Sequence, residues 1–323
     1  MNRQTISKII TGLLVATGVA VAPVAAAWPD RPISIVVPYA PGGTADALAR
    51  IVAERLGPQL DTSAVVINRA GASGVIGSSS VARSRPDGYT VLYDATPLSI
   101  NPHLQTLPFN PSNDLAPVTL VAVTPMIVTV PADSPYSTFD DLINAAKQSP
   151  GELTYGSGGQ GTVQFMAATL MHQAIGADLL HVPFRSGGEA INALIGKHID
   201  MMFVNLPAVS GHINGGLARP LAITSSERNT AYPDVPTVGE SAIEGYEAYE
   251  WNGMFVPSGT PDDIVEKLNE ALRNVLAMPD VQAQFERLGS RIVASTPAEF
   301  GSFFESETAK WATTVEAAGI EKE

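Results

Sequence analysis

The stretch "APVTLVAVTPMIVTVPADSP", Ala116 to Pro135, decides the fold. It is apolar and β-branched over most of its length, unusually long for one strand, and interrupted by Pro125. We read it as a strand that leaves one domain and enters a second. Upstream, "ISIVVPY" is a strand, and "PGG" turns it into the helix "TADALARIVAERLGPQL", where Ala45, Leu48, Ile51, Val52 and Leu56 recur at helical spacing. "AVVINR" is a second strand, "GASGVIGSSSVARS" a short helix and "YTVLYDAT" a third strand. Downstream, Ser137 and Asp140 are expected to form a capping box before "FDDLINAAKQ". Strand and helix then alternate again through "LTYGS", Thr162 to about Ala174, "LLHVPF", "GGEAINALIGK", "IDMMFVN" and "RPLAITS". Two such runs predict parallel sheets covered by helices on both faces.

From about Glu227 the chain is loop-rich, "YEAYEWNGMFVP" is extended, and three helical stretches close it. The first and third begin Thr-Pro, with Thr260 and Thr296 as expected N-caps. This late return predicts two α/β lobes joined by crossing strands, with a cleft between them. Residues 28–124 plus 227–323 are assigned to lobe 1 and 125–226 to lobe 2.

The 323 residues suffice for two domains of ordinary size, and a hydrophobic fraction of 45% supplies their cores. Residues 1–27 read differently. Arg3 and Lys8 precede an apolar run, and Ala25 and Ala27 end it in a small-residue cleavage pattern, so a signal peptide cleaved after Ala27 is expected. Cysteine is absent, which excludes a disulfide, thiol chemistry and a lipoprotein anchor. The formal net charge is −13, and loss of Arg3 and Lys8 would make the remainder more acidic still. Such a chain lacks the basic face that nucleic acid requires. An anionic ligand would have to be attracted locally, by backbone N–H groups or a placed cation.

Sites in open α/β sheets lie beyond the carboxyl ends of strands, at helix N-termini. That rule singles out "PYAPGGTAD" in lobe 1 and "YGSGGQGT" and "PFRSGGEA" in lobe 2. Gly156, Gly158 and Gly161 have the G-x-G-x-x-G spacing of a dinucleotide-binding turn. The acid that should follow the next strand is missing, however, because "LLHVPF" ends at Phe184 and Arg185. Two readings stay open: glycines that serve only tight turns, and an anion cradle of inward N–H groups reinforced by the helix dipole. In the cradle reading, Gly158, Gly159, Gln160, Gly161 and Thr162 face Gly42, Gly43 and Thr44 across the cleft. Asp46 is a helix cap or a partner for a ligand amine or hydroxyl. Arg185, with Ser186 and Gly187, either clamps a carboxylate or pairs with a surface acid. Tyr39, Ser73, Thr96 and Phe184 complete the candidate set.

Catalytic signals are poor. "GASGV" and "YGSGG" both miss the G-x-S-x-G elbow, and His103, His172, His181, His198 and His212 show no metal-binding spacing. His172 falls on the apolar face of its helix, as a core or interface histidine does.

Several motifs in order carry a resemblance along nearly the whole remaining chain. "WPDRPISIVVPYAPGGTADALARIVAERL", "VVINRAGASGVIGSSSVARSRPDGYTVL", "GELTYGSGGQGT", "HVPFRSGGEAINALIGKHIDMMF", "YPDVPTVGES" and "EWNGMFVPSGTP" resemble the Bug-type periplasmic receptors of tripartite tricarboxylate transporters. The resemblance implies a non-enzymatic, monomeric, two-lobed periplasmic binding protein of the Venus-flytrap type, needing no cofactor or metal. It would close on a small carboxylate and deliver it to a permease of one large and one small membrane subunit. It also implies that Pro41, Gly42, Gly43, Thr44, Gly159, Gly161 and Thr162 hold a ligand carboxylate. Where the family commonly has Asn and His in the second turn, this chain has Gln160 and Phe165; where it has P-Y-K-G, this chain has Pro183-Phe184-Arg185-Ser186. Phe165 and Phe184 are therefore expected to make an apolar wall suited to an aromatic or aliphatic carboxylate. The alternatives are a sensor acting on a membrane kinase and an exported carboxylate-ester hydrolase or lyase.

Overall fold

The computed structural model describes residues 28–322; the expected signal peptide lies outside them. Ten strands make one continuous sheet: β1 (Ile33–Val37), β2 (Ala64–Asn68), β3 (Thr90–Ala95), β4 (Leu115–Pro131), β5 (Thr154–Ser157), β6 (Leu180–Pro183), β7 (Met201–Asn205), β8 (Ala218–Ile223), β9 (Tyr249–Pro257) and β10 (Arg291–Ile292). The order is β2-β1-β3-β9-β4-β7-β5-β6, with β10 pairing β4 on the edge opposite β9 and β8 pairing it on the edge opposite β7. β1 is parallel to β2 and β3, and β5 to β6 and β7, while β4 and β9 run against their neighbours.

β4 joins the two lobes. Its first residues pair with β9 from Leu115↔Pro257 to Pro125↔Tyr249, and its last with β7 from Met126↔Asn205 to Thr129↔Met202. Pro125, expected to interrupt the strand, sits where the ladder changes partner. A residue without an N–H is tolerated there. The exchange is closed by buried Thr224, whose Oγ1 accepts from Met126 N at 2.8 Å and donates to Ala248 O at 2.6 Å.

The helices are α1 (Thr44–Gln59), α2 (Val75–Ala82), α3 (Pro97–Leu104), α4 (Pro111–Asp114), α5 (Phe139–Gln148), α6 (Val163–Ile175), α7 (Gly187–Ile195), α8 (Leu206–Asn214), α9 (Val238–Ser241), α10 (Asp262–Leu276), α11 (Pro279–Arg287) and α12 (Pro297–Ala317). In lobe 1, α1, α10 and α11 bury apolar residues on one face of the sheet, and α2 and the first half of α12 on the other. In lobe 2, α7 and α8 cover one face and α5, α6 and the end of α12 the other. Among the described residues no helix is long and apolar enough to cross a membrane.

Two caps differ from expectation. The capping box of α5 is Thr138 with Asp141, because the Asp141 carboxylate reaches both Ser137 N and Thr138 N. Thr260 does not cap α10; its hydroxyl turns back to Pro257 O at 2.7 Å and Pro261 takes the cap position. Thr296 caps α12 as expected, in a box with Glu299.

Gly253 of β9 is required by packing, since a Cβ there would lie 2.1 Å from Phe300 Cζ. Gly253→Ala is expected to destabilise the fold by about 1–3 kcal/mol through overpacking, measured by urea unfolding.

Candidate functional site

After β1 the chain turns through Tyr39–Gly43 into α1. Gly42 has φ +91°, which favours glycine, and its N–H donates to Asp46 Oδ2 at 2.9 Å. Arg50 Nε donates to the same oxygen at 3.0 Å, and Asn68 Nδ2 to Oδ1 at 2.8 Å. Buried Asp46 thus braces the turn from within, and its hydrogen bond from Arg50, followed by those from Gly42 and Asn68, holds its carboxyl down at about 2. Both its oxygens have protein donors. Gly43 occupies the N-cap position without a side-chain cap, so the N–H groups of Gly43, Thr44 and Ala45 have no acceptor among the described residues. They carry the positive end of a 16-residue helix.

Tyr39 Oη donates to Asp94 Oδ1 at 2.7 Å, and Ser78 Oγ to Asp94 Oδ2 at 2.6 Å. Asp94, the buried end of β3, was not foreseen. Burial pushes its carboxyl up to about 6, against the lowering effect of these hydrogen bonds. Burial, then Asp94, pushes the Tyr39 hydroxyl well above its ordinary range. Beside Tyr39, four consecutive residues have left-handed backbone: Gly71 (φ 138°), Ala72 (47°), Ser73 (52°) and Gly74 (98°). Asn101 Nδ2 anchors this turn by donating to Ser73 O at 2.9 Å. The turn presents Ser73 to lobe 2: a Cβ on Gly161 would lie 3.9 Å from Ser73 Oγ and from Leu104 Cδ1. Thr96 is fully buried and holds β3 to β9, accepting from Trp251 N at 2.8 Å.

In lobe 2, β5 ends at buried Ser157, whose Oγ accepts from Gly159 N at 3.1 Å and lies 2.8 Å from His181 Nε2. Gly159 has φ +115°, and its carbonyl accepts from Thr162 N and Thr162 Oγ1 at 3.1 and 2.7 Å. Thr162 Oγ1 also accepts from Phe165 N, so this hydroxyl is the N-cap of α6. The N–H groups of Gln160 and Gly161 have no protein acceptor among the described residues. Gly158 packs against the next turn, with its Cβ position 3.5 Å from Gly187 N. Ser186 caps α7 by accepting from Glu189 N at 3.3 Å, and Arg185 N donates to Glu189 Oε2 at 3.1 Å. The exposed Arg185 guanidinium makes no ion pair among the described residues. A cavity of about 420 Å³ opens here, lined by Gln164, Gly187, Gly188, Asn192, Asn205 and His212 among others.

Phe165 does not join Phe184 in the expected apolar wall. Phe165 is 5% exposed, in the lobe 2 core, with its ring 6.3 Å from Tyr155 and 4.7 Å from His181. Phe184 is half-buried and packs its ring against Gly156 and the α7 core. His172 is half-buried beside Tyr155, and burial lowers its pKa. The structure thus brings Gly158 to Ser186–Gly187 and Gly161 to Ser73. Among the described residues, no hydrogen bond joins Pro41–Thr44 to lobe 2. Nor does Ser157–His181 form a nucleophile pair, because the serine is buried in the turn's own bonding and no carboxylate orients the imidazole. No three metal-ligating side chains cluster among the described residues.

Residues 48–320 match the family described as the tripartite tricarboxylate transporter family receptor, TctC. The chain is 34% identical to BugT of Bordetella pertussis, covering 99% of each chain. Its fold matches that of the periplasmic binding protein BugD (33% identity, TM-score 0.76), covering 92% of this chain and all of that one. It also matches R. palustris Rpa4515 with adipate (31% identity, TM-score 0.79), again over 92% of this chain and all of that one. The chain belongs to the TctC receptor family. Its two-lobed α/β architecture is that of the family's binding proteins, and the family is one of solute receptors.

Asp94 should leave a signature in this receptor's stability. A carboxyl whose folded-state pKa is raised opposes folding above about pH 6 and ceases to do so as pH falls from about 6 towards 4. On acidification from about pH 7 to 4, the native protein should gain up to about 3 kcal/mol relative to Asp94→Asn, measured by urea unfolding at each pH.

Proposed function

We propose that this receptor captures a small carboxylate in the periplasm and delivers it to a tripartite tricarboxylate-type permease with one large and one small membrane subunit. It acts without catalysis. The observation that carries this reading is the set of unpaired N–H groups at two glycine turns, Gly43–Ala45 opening α1 and Gln160–Gly161 before α6. Backbone donors at helix starts bind a carboxylate without a lysine, and a strongly acidic protein needs such local attraction. In this reading, residues 28–124 with 227–323 form one jaw and 125–226 the other, except that Val235, Val238, Tyr246, Ala248 and the end of α12 pack in the core of the second jaw. The ligand sits among Tyr39, Pro41–Thr44 and Ser73 on one side and Gly158–Thr162 and Phe184–Gly187 on the other. Asp46 and Thr96 hold the first jaw's shape, and Arg185, free of ion pairs, adds a cation at the rim. Binding favours closure because only the closed form places both turns on one ligand. The adipate held by Rpa4515 supports a carboxylate as cargo.

A thermal-shift panel of mono-, di- and tricarboxylates and aromatic acids tests this. A ligand at 100 times its dissociation constant should stabilise the receptor by roughly 2.7 kcal/mol. Gly43→Val and Gly161→Val should each abolish the shift while the ligand-free protein still melts cooperatively, since neither position has positive φ and a Cβ at either meets no atom closer than 3.9 Å. Binding that survived both substitutions would reject the two-turn clamp.

A further inference from the structure

Between the two jaws lies an acid that no cation neutralises. Glu250 enters β9 opposite Thr124, one step before β4 changes partner, and Asn205 ends β7 opposite Met126, one step after. The Asn205 side-chain amide donates to Glu250 Oε2, and Asn205 Oδ1 accepts from Gln164 Nε2 at 3.5 Å. Gln164 belongs to the first turn of α6 and, with Asn205 and Gly187, lines the 420 Å³ cavity. Glu250 is half-buried, its Oε1 has no donor, and no Lys or Arg pairs with it among the described residues. Its charge reaches the hydroxyls of Tyr39 and Tyr93 and helps to push both up. Glu250 is therefore bonded to Asn205, on the wall of lobe 2, and lies within electrostatic reach of Tyr39, which opens the first turn. On the same face of β9, Asn252 is fully buried with neither side-chain polar atom bonded, and Tyr93 Oη, also fully buried, has no partner.

A ligand whose first carboxylate occupies the helix starts would direct its far end towards this floor. A second carboxylate there would meet a like charge in a partly buried place, whereas an ammonium or hydroxyl would fill the unused oxygen. We propose that Glu250, oriented by Asn205, determines ligand specificity by selecting a hydrogen-bond donor, not a second carboxylate, at the end of the ligand remote from the glycine turns. This rests on the carboxylate-receptor reading above and narrows its cargo to amino- or hydroxy-carboxylates.

The test uses acids of one skeleton that differ only at the far end: caproate, hydroxycaproate, ε-aminocaproate and adipate, with the four- and five-carbon series beside them. Titration calorimetry at neutral pH should show the amino or hydroxy acid of the best-fitting length binding at least about tenfold more tightly than its dicarboxylate partner. Glu250→Gln, which keeps an acceptor for Asn205, should erase or invert that preference. A second measurement needs no variant. Burial raises the pKa of Glu250, so acidification should weaken binding of the amino acid and strengthen that of the dicarboxylate. Dicarboxylates favoured by the native protein, or an unchanged preference in Glu250→Gln, would overturn the role of Glu250 and leave the receptor reading standing. No binding by any carboxylate in this series or the thermal-shift panel would overturn both.

Discussion

The change of partner along β4 is the constraint on which the rest of the molecule depends. One strand serves both lobes, so the first 11 residues of β4 are held by β9 and the remainder by β7 and β8. Because the exchange takes a single residue step, the carboxyl ends of β1 and β3 come to face those of β5 and β7. The turn before α1 and the turn before α6 follow from that placement. The polar closure around Thr224 satisfies backbone groups at the exchange, where a register slip would otherwise leave them buried and unpaired.

Around this junction, side chains are spent on holding the shape of the turns. Side-chain oxygens in the turns are mostly consumed internally: Asp46 by Gly42, Thr162 by Gly159 and Phe165, Ser186 by Glu189, and Ser157 by Gly159. What remains unpaired is backbone N–H, which has one orientation and no rotamers to freeze. In the proposed carboxylate reading, a cleft made that way is preorganised, so little ordering entropy opposes binding. The role proposed for Glu250 is the opposite one, keeping a second carboxylate from the far end of the ligand.

Much of the architecture was legible because hydrophobic period reports burial. Strands and major helices follow from apolar spacing, and the long run around Pro125 is continuous because both faces of β4 are covered. The cap of α5 was misplaced by one residue because Ser137-Thr138 offers two hydroxyls and Asp140-Asp141 two acids in the same frame. Thr162 and Ser186 could not be classified from sequence, since an N-cap and a ligand contact ask for the same residue at the same place. Phe165 reads alike whether it faces core or cleft. Asp94 is a single acid in an apolar strand, and Glu250 meets Asn205 across 45 residues; neither leaves a local pattern.

Helix α12 gives the hinge a mechanical property of its own. Phe300 and Phe304 pack in the lobe 1 core, Trp311 and Val315 in that of lobe 2, and Thr314 O accepts from Gln173 Nε2 at 3.0 Å. A rod of 21 residues, about 32 Å long, is thus clamped at both ends across a joint made of strands. Such a strut resists the lobes swinging straight apart, because one end would have to be peeled from its core. It tolerates rotation of one lobe about the rod and small sliding of its side chains. In the proposed two-jaw reading, the last turns of the chain therefore travel with the lobe opposite to the one their helix starts in.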